Sequence, residues 1–114
     1  MHELSLCQAI ADTVSRHADG RRVERVDVRI GHLRQVVPDS LQFSWQLLIE
    51  DTELDGATLV VDYVPAVITC RACGAETTLE MAIMLCPHCD CADVTLVSGE
   101  EFQITSIDRV HEVC

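Results

Sequence analysis

The stretch CRACGAETTLEMAIMLCPHC, residues 70–89, contains two CxxC pairs, Cys70 with Cys73 and Cys86 with Cys89. Two residues between a pair of cysteines allow one tight turn to present both sulfurs to a single ion, and two such turns complete a tetrahedron. The spacing therefore predicts a zinc site with four thiolate ligands. A closed set of four thiolates leaves no coordination position for a substrate, so we expect the zinc to be structural.

The residues next to the cysteine pairs refine this prediction. Gly74 follows the first pair and Asp90 the second, and both residue types tolerate the left-handed backbone conformation that often follows such a turn. Cys91 adds a CxC alternative to the second pair, so it could replace Cys89 as a ligand. His88 is interpreted as a solvent-facing residue of the turn. Redox-active cysteines or an iron site are the alternatives to zinc, although tetrahedral sulfur ligation favours zinc.

The predicted zinc site lies in a segment with little core of its own. From residue 69 to residue 97, cysteines and small residues replace the long apolar stripes found elsewhere in the chain. Metal ligation of this kind can contribute on the order of ~10 kcal/mol of folding free energy, which would compensate for the missing core. We therefore predict a zinc-ribbon-like domain at residues 69–97, inserted into an α/β domain that residues 1–68 form and residues 98–114 complete.

Apolar periodicity predicts two helices in the larger domain. From Leu4 onward, apolar residues recur at steps of three and four residues until Gly20, which is expected to end the first helix. The second helix lies in VVPDSLQFSWQLL, where Asp39 or Ser40 can cap the first turn. Its apolar residues are Leu41, Phe43, Trp45, Leu48 and Ile49. Phe43 and Trp45 cannot share one helix face, so one of them is predicted to be exposed and available to a partner.

Alternating apolar residues predict three strands in the same domain. The first strand should end near Gly31, the second near Pro65, and the last should return to the sheet of the first two. The positions that share one face are Val26, Val28 and Ile30 in the first strand and Ala57, Leu59, Val61 and Tyr63 in the second. Phe102, Ile104 and, in broken register, Ile107 indicate the third. The predicted fold class is α+β, with two helices on a three-stranded sheet.

Charge and composition exclude several classes of partner. The chain carries 19 acidic and 8 basic residues for a net charge of -11, and every basic residue is an arginine. Such a chain repels phosphate backbones, and the cysteine-rich segment has one arginine and no aromatic residue, so we expect no nucleic-acid binding. The absence of a long apolar run and of a secretion signal predicts a cytoplasmic protein that does not enter membranes. A monomer and a homodimer are both compatible with the sequence.

The first three residues can form a metal site of a different kind. With histidine at position 2, the Met1 amine, the His2 backbone nitrogen and the His2 imidazole can close fused five- and six-membered chelate rings on one ion. Glu3 can add its carboxylate or its backbone nitrogen as a fourth donor. Nitrogen-rich, nearly planar ligation suits Ni(II) or Cu(II) better than Zn(II) or Mg(II). The alternative interpretation is a solvated helix start without metal.

Four segments together resemble one family of proteins. They are MHELSLCQAI at the start, GHLRQVVPDSLQFSWQLL in the middle, DGATLVVDYVPA before the first cysteine pair, and the CxxC...CPxC spacing itself. In this order they cover nearly the whole chain, which resembles the HypA/HybF family of hydrogenase maturation factors. The resemblance implies a nickel metallochaperone that delivers Ni(II) to the large subunit of NiFe-hydrogenase, commonly with the GTPase HypB as partner. In some organisms the family also serves urease.

The resemblance also implies which residues bind metal. By analogy with the family, His2 is the essential nickel ligand, with Glu3 and the Met1 amine beside it. The implied zinc ligands are Cys70, Cys73, Cys86 and Cys89. Some relatives carry a histidine directly after a CxxC pair and are thought to exchange zinc ligands with pH. Gly74 and Asp90 occupy those places here, so no such exchange is predicted.

The other cysteine and histidine residues are interpreted without a metal. Cys7 lies on the apolar stripe of the first helix and is predicted to be a core residue. His17 falls in the last turn of that helix, where a positive charge is favourable. His32 follows a strand end and could approach the nickel site, which the sequence alone leaves open. His111 and Cys114 could form a weak metal trap, although no role is assigned to them.

The sequence shows no catalytic constellation. It contains no recognisable pair of nucleophile and base and no glycine-rich phosphate loop, so we expect a carrier and not an enzyme. Two alternatives remain open at this point. One is a zinc-stabilised adaptor for protein binding, with the first three residues incidental, and the other is a redox switch built on the 7 cysteines.

Overall fold

Two α-helices and two three-stranded sheets make up the computed structural model, which describes residues 2–110. The helices are α1 (His2–His17) and α2 (Pro38–Ile49), and a short 3-10 helix spans His32–Arg34. The strands are β1 (Val23–Gly31), β2 (Thr58–Val64), β3 (Val67–Cys70), β4 (Glu76–Thr78), β5 (Val94–Ser98) and β6 (Phe102–Arg109). The first sheet has the order β2-β1-β6 and the second has the order β4-β3-β5. The predicted α+β class, with the last strand returning to the first sheet, is confirmed.

Each helix buries one face because its apolar residues recur at helical spacing. The buried residues are Cys7, Ile10 and Val14 in α1 and Leu41, Trp45 and Ile49 in α2. The indole Nε1–H of Trp45 donates a hydrogen bond of 2.9 Å to the carbonyl of Ala57, so this large side chain is buried with its donor satisfied. Phe43 is 67% exposed, which confirms that Phe43 and Trp45 lie on different faces. Neither helix of the described chain is long and apolar enough to cross a membrane.

The end of α1 differs from the predicted one. The helix ends at His17, before Gly20. Asp19 and Gly20 have positive φ values of 54° and 72°, so the chain has already left the right-handed helical conformation at Asp19. Glycine at position 20 belongs to the turn after the helix.

The predicted cap of α2 by Asp39 or Ser40 is wrong. The helix begins at Pro38, its N-cap residue is Val37, and no side chain caps the first turn. Proline is well suited to the first helical position because its φ is already helical and its missing N–H would have no partner there. Asp39 therefore lies within the first turn.

The chain forms two compact units. The first contains the described residues up to Val28, Val36–Asp62 and the described residues from Gln103 onward. The second contains Arg29–Gln35 and Tyr63–Phe102. The predicted domain boundaries lie elsewhere in the sequence and stay a prediction.

The second unit has a small core of its own. Ala66, Ile68 and Leu79 are buried, and Leu33, Val94 and Leu96 pack against them. Strand β3 pairs antiparallel with β4 and β5, so that Ile68 lies opposite Thr77 on one side and Leu96 on the other. The sequence does not predict this sheet because its strands are short and interrupted by the cysteine turns.

Strand β2 departs from the predicted alternation at Tyr63. Leu59 is buried and Val61 is half-buried as predicted, but Tyr63 is 38% exposed and Val64 is buried instead. The prediction for Tyr63 is therefore wrong. The alternation changes phase where the chain leaves the first unit after Asp62 and enters the second. The buried positions that follow are Val64, Ala66 and Ile68, of which Ala66 and Ile68 belong to the small core of the second unit.

Candidate metal centres

The sulfur atoms of the four predicted zinc ligands converge. Those of Cys70, Cys73, Cys86 and Cys89 all lie within 4.8 Å of one another. The sulfurs of Cys70 and Cys89 are 3.6 Å apart, and so are those of Cys73 and Cys86. A tetrahedral ion with Zn–S bonds of about 2.3 Å requires sulfur–sulfur distances of roughly 3.8 Å. The four sulfurs therefore have the arrangement that one tetrahedral metal ion needs.

Two similar turns bring these sulfurs together. The N–H of Gly74 donates to the carbonyl of Cys70 at 2.9 Å, and the N–H of Asp90 donates to the carbonyl of Cys86 at 2.8 Å. Gly74 has a φ of 76° and Asp90 a φ of 58°, which confirms the left-handed conformation predicted at both positions. Glycine adopts it without steric cost and aspartate at a small one. The two turns are thus matched halves of one site.

Cys91 supports the second turn with its backbone. The N–H of Cys86 donates to the carbonyl of Cys91 at 2.9 Å, as the N–H of Cys70 donates to the carbonyl of Ala75 in the first turn. The Cys91 sulfur accepts an N–H from Asp93 at 3.4 Å and does not belong to the group of four sulfurs. Replacement of a lost ligand by Cys91 stays a prediction.

Two thiols of this group have pKa values that are shifted in opposite directions. The backbone N–H of Cys73, 3.5 Å from the Cys70 sulfur, and that of Ala72 outweigh burial and lower the pKa of Cys70 to about 7. At Cys89 the N–H of Cys91 favours the thiolate, but the Cys70 sulfur and burial outweigh it and raise the pKa to about 12. Sulfurs this close cannot all ionise without a cation. Metal binding would displace the remaining protons, so metal affinity should fall at low pH.

Exposure divides the four cysteines into two inner and two outer residues. Cys70 and Cys86 are 2% and 1% exposed, whereas Cys73 and Cys89 lie at the surface. Each turn therefore supplies one inner and one outer sulfur. Because Cys70 is the last residue of β3, the second sheet determines where the first turn begins.

The other candidate site lies in the first turn of α1. His2 Nε2 and Glu3 Oε2 are 2.8 Å apart, with the histidine side chain 50% exposed and the glutamate 16%. The contact occupies Nε2, so it leaves Nδ1, the atom that can share a six-membered chelate ring with the His2 backbone nitrogen. Carboxylates that bind the second nitrogen of a metal-ligating histidine fix the orientation of its ring. Met1 lies outside the described residues, so its amine stays a predicted donor.

The position of His2 and Glu3 at the start of the helix leaves their backbone nitrogens available to a metal. The first four N–H groups of an α-helix have no acceptor within the helix. His2 and Glu3 are the first two residues of α1. Their amide nitrogens are therefore not committed to the helical hydrogen bonds, as an amide donor to a metal requires.

Cys7 has the core position predicted for it. Its side chain is fully buried, and its Sγ lies 3.5 Å from the carbonyl oxygen of Leu41, to which the thiol donates. Burial, with a smaller contribution from the charge of Glu3, raises the pKa of Cys7 to about 11. A thiol that keeps its proton is a poor metal ligand and a poor nucleophile.

The remaining histidines and Cys114 are not among the ligands assigned to either metal centre. His17 is exposed, and its Nδ1 lies 2.8 Å from a backbone carbonyl of its own helix. His88 is exposed, as predicted. His32 is also exposed, and its approach to the nickel site stays untested. His111 and Cys114 lie outside the described residues.

One surface feature is missing from the sequence-based prediction. Between the two cysteine pairs, residues 81–85 form what we call the apolar loop, in which four large side chains are exposed. They are Met81, Ile83, Met84 and Leu85. The sequence contains a signal for this loop, because residues 81–85 read MAIML and the segment around them has too few apolar residues to bury them.

Comparison with known proteins places the chain among nickel-handling proteins. The family model described as "Hydrogenase/urease nickel incorporation, metallochaperone, hypA" matches residues 1–109. The chain is 39% identical over 108 residues to the hydrogenase maturation factor HypA of Geotalea uraniireducens, covering 95% of this chain and 98% of the relative. It is also 39% identical over 114 residues to that of Nostoc sp., covering 100% of this chain and 99% of the relative.

A solved structure shares the fold. The solution structure of the Ni metallochaperone HypA from Helicobacter pylori aligns with a TM-score of 0.66 and 20% sequence identity, covering 98% of this chain and 100% of that chain. At this identity the likeness concerns the fold alone. With the family model matched over residues 1–109 and two relatives 39% identical over nearly their full length, the chain belongs to the HypA family of hydrogenase maturation nickel metallochaperones.

Proposed function

We propose that this protein binds Ni(II) through the Met1 amine, the backbone and imidazole nitrogens of His2, and the backbone nitrogen of Glu3, and delivers the ion to the large subunit of a NiFe-hydrogenase. The observation that carries the proposal is the contact of 2.8 Å between His2 Nε2 and Glu3 Oε2. It supports nickel binding because a carboxylate on Nε2 orients the ring and leaves Nδ1 for the metal. Membership of the HypA family, whose model is described by nickel incorporation, supports nickel as the ion.

The proposed donors suit a cargo that must be released. Amine, amide and imidazole nitrogens provide the nearly planar field that Ni(II) prefers. Each donor must lose its proton to bind, so protonation of the His2 imidazole or the Met1 amine would eject the ion. This exchange needs no bond-making step in a substrate. We therefore propose a carrier and not an enzyme.

We also propose that Cys70, Cys73, Cys86 and Cys89 hold a structural Zn(II). The convergence of their sulfurs within 4.8 Å and the matched hydrogen bonds of the two turns support this assignment. Bound zinc would add folding free energy to a unit whose own core is small. Because thiolate ligands need a reducing environment, we expect the protein to act in the cytoplasm.

The proposed partners follow from the delivery role. They are the hydrogenase large subunit, which receives the ion, and the GTPase HypB, to which any GTP hydrolysis during transfer would belong. Urease is a second possible recipient, in keeping with the description of the family.

Calorimetric nickel titration of three proteins tests the proposal. The first begins at Met1, the second is extended by two residues before Met1, and the third carries His2→Ala. The extension separates the amine from the His2 chelate and the substitution removes the imidazole, so both should abolish specific nickel binding. Zinc content and circular dichroism should not change, because neither alteration touches the cysteines.

A matched control comes from the other end of the same helix. His17→Ala also removes an exposed histidine from α1 and should leave the nickel affinity unaltered. Equal nickel affinities in the extended, His2→Ala and unaltered proteins would contradict the proposal.

A further inference from the structure

The apolar loop, residues 81–85, presents an unusual concentration of exposed apolar side chains. Met81 is 68% exposed, Ile83 51%, Leu85 42% and Met84 39%. Single apolar residues are common on protein surfaces, whereas a contiguous apolar patch marks an interaction site. None of the four belongs to the proposed nickel or zinc ligands.

Both ends of the apolar loop are fixed by the second unit. Leu79, just before the loop, is buried in the small core, and its N–H donates to the carbonyl of Ala66 at 2.7 Å. Cys86, just after the loop, is 1% exposed and contributes one inner sulfur to the group of four. A bound metal ion at the cysteines would therefore secure one end of the loop.

Short turns shape the loop between these ends. The N–H of Ile83 donates to the carbonyl of Met81 at 2.7 Å, and the N–H of Leu85 donates to the carbonyl of Ile83 at 2.9 Å. The loop borders a groove of about 520 Å³ whose lining includes Ile83 and Leu85 together with Glu80 and Asp90. Apolar walls and carboxylates thus lie next to each other at the same surface.

The charged side chains that line the groove are the carboxylates of Glu80 and Asp90, beside the titratable imidazole of His88. The sequence has no lysine or arginine from residue 72 to residue 108, whereas Glu76, Glu80 and Asp90 are exposed in this part of the second unit. Arg71, directly before this stretch, pairs with Asp93 at 2.9 Å. An occupant of the groove therefore has to bring apolar side chains and positive charges. Phosphate backbones and anionic lipid surfaces do not fit because they carry the wrong charge.

We propose that the apolar loop and its groove dock a partner protein through a basic amphipathic segment of that partner. Apolar side chains of the segment enter the groove against Ile83 and Leu85, and flanking lysine or arginine side chains face Glu80 and Asp90. Methionine suits such a surface because its unbranched, polarisable side chain adapts to different apolar partners. The inference goes beyond nickel binding and does not depend on it.

A binding assay with defined peptides tests this docking surface on the full-length, zinc-loaded protein. The probe is a fluorescent synthetic peptide with leucines at helical i, i+3, i+4, i+7 spacing and lysines at the other positions. Its counterpart has glutamate in place of every lysine. In fluorescence anisotropy titrations the lysine peptide should bind and the glutamate peptide should not, and added salt should weaken the binding.

Two double variants locate the binding on the protein. Met81→Ser with Ile83→Ser should weaken binding of the lysine peptide about tenfold or more, because apolar anchors dominate such interfaces. Val37→Ser with Leu47→Ser is the matched control. It removes two apolar side chains that are 56% and 59% exposed, just before and within α2, and it should leave the affinity unchanged. Glu80→Gln should reduce the salt dependence.

Several results would overturn the proposal. They include equal binding of the two peptides and equal losses in the two double variants while zinc content and circular dichroism are intact. If Met81→Ser with Ile83→Ser instead dissociates a dimer in sedimentation, the loop joins two copies of this chain. If it abolishes binding to neutral phosphatidylcholine vesicles, the loop contacts lipid. Either of these outcomes replaces the partner segment with another occupant.

Discussion

Gly31 lies so close to Gly99 that a Cβ atom at position 31 would overlap the carbonyl group of Gly99. The Leu33 N–H donates to that carbonyl at 2.9 Å, and the Gly31 N–H donates to the carbonyl of Glu101 at 2.7 Å. Gly99 is also confined, because a Cβ at its position would lie 2.6 Å from the Cα of Ala66. The neighbours are backbone atoms, which cannot turn away as a side chain can.

Gly31→Ala should therefore destabilise the protein by about 3 kcal/mol, because the added methyl group forces backbone atoms to move. Urea unfolding followed by circular dichroism measures this change. Gly20→Ala is the control: nothing lies within 4 Å of its Cβ, and only its φ of 72° opposes the substitution. The control should lose about 1–2 kcal/mol. A Gly31→Ala protein no less stable than Gly20→Ala would contradict the close approach.

Cys91→Ser should retain zinc after dialysis against a chelator, because serine keeps the carbonyl that accepts the Cys86 N–H. Cys89→Ser removes one of the four converging sulfurs and should lose zinc under the same conditions. The double variant shows whether Cys91 replaces Cys89, since replacement requires less zinc in the double variant than in Cys89→Ser. Zinc loss from Cys91→Ser alone would place its sulfur among the ligands.

Zinc affinity should depend more steeply on pH below about pH 7 than above it. The pKa of Cys70 is lowered from 9.0 to about 7, so above that pH its thiol has already given up its proton. Below it, zinc must displace one more proton, and the logarithm of the apparent association constant should gain about one unit of slope. Chelator competition across this range measures the slope. An unchanged slope would show that the pKa of Cys70 does not lie near 7.

The same shift bears on the metal-free protein. A lowered pKa stabilises the folded state above the ordinary value of 9.0, and this contribution is lost as the pH falls through about 7. Because Cys89 has a raised pKa of about 12, its contribution to stability has the opposite pH dependence. It is present below the ordinary value and lost as the pH rises towards 12.

Glu3→Ala should weaken nickel binding roughly 10- to 100-fold, because it removes the carboxylate that holds His2 Nε2. Glu3→Gln keeps an oxygen acceptor for the imidazole N–H and should weaken binding less. Calorimetric titration of a protein that begins at Met1 compares the two variants. Equal losses would show that the charged carboxylate itself ligates the ion.

Local features of the sequence predicted local features of the structure. The CxxC spacing predicted the convergence of four sulfurs, and Gly74 with Asp90 predicted the left-handed residues after the two turns. Helical spacing separated Phe43 from Trp45. In each case the physical cause lies within a few neighbouring residues, so a single sequence contains it.

Features that depend on distant parts of the chain escaped prediction. Tyr63 continues the alternation of β2 in the sequence, but the side chains after it belong to the core of the second unit. The approach of Gly31 to Gly99 joins positions far apart in the chain. The prediction of where α2 begins was wrong for a local reason. The φ of Pro38 is already helical, so the helix begins there without a side-chain cap from Asp39.

The position of His2 and Glu3 at the beginning of α1 has a consequence for how firmly a dication could be held there. The peptide dipoles of a 16-residue helix add up along its axis and leave roughly half a positive elementary charge at its first turn. That charge repels Ni²⁺, while the nearby Glu3 carboxylate offsets the repulsion in part. The helix dipole should therefore lower the affinity of the proposed nickel site, and a lower affinity would favour transfer of the ion to a recipient that binds it more tightly.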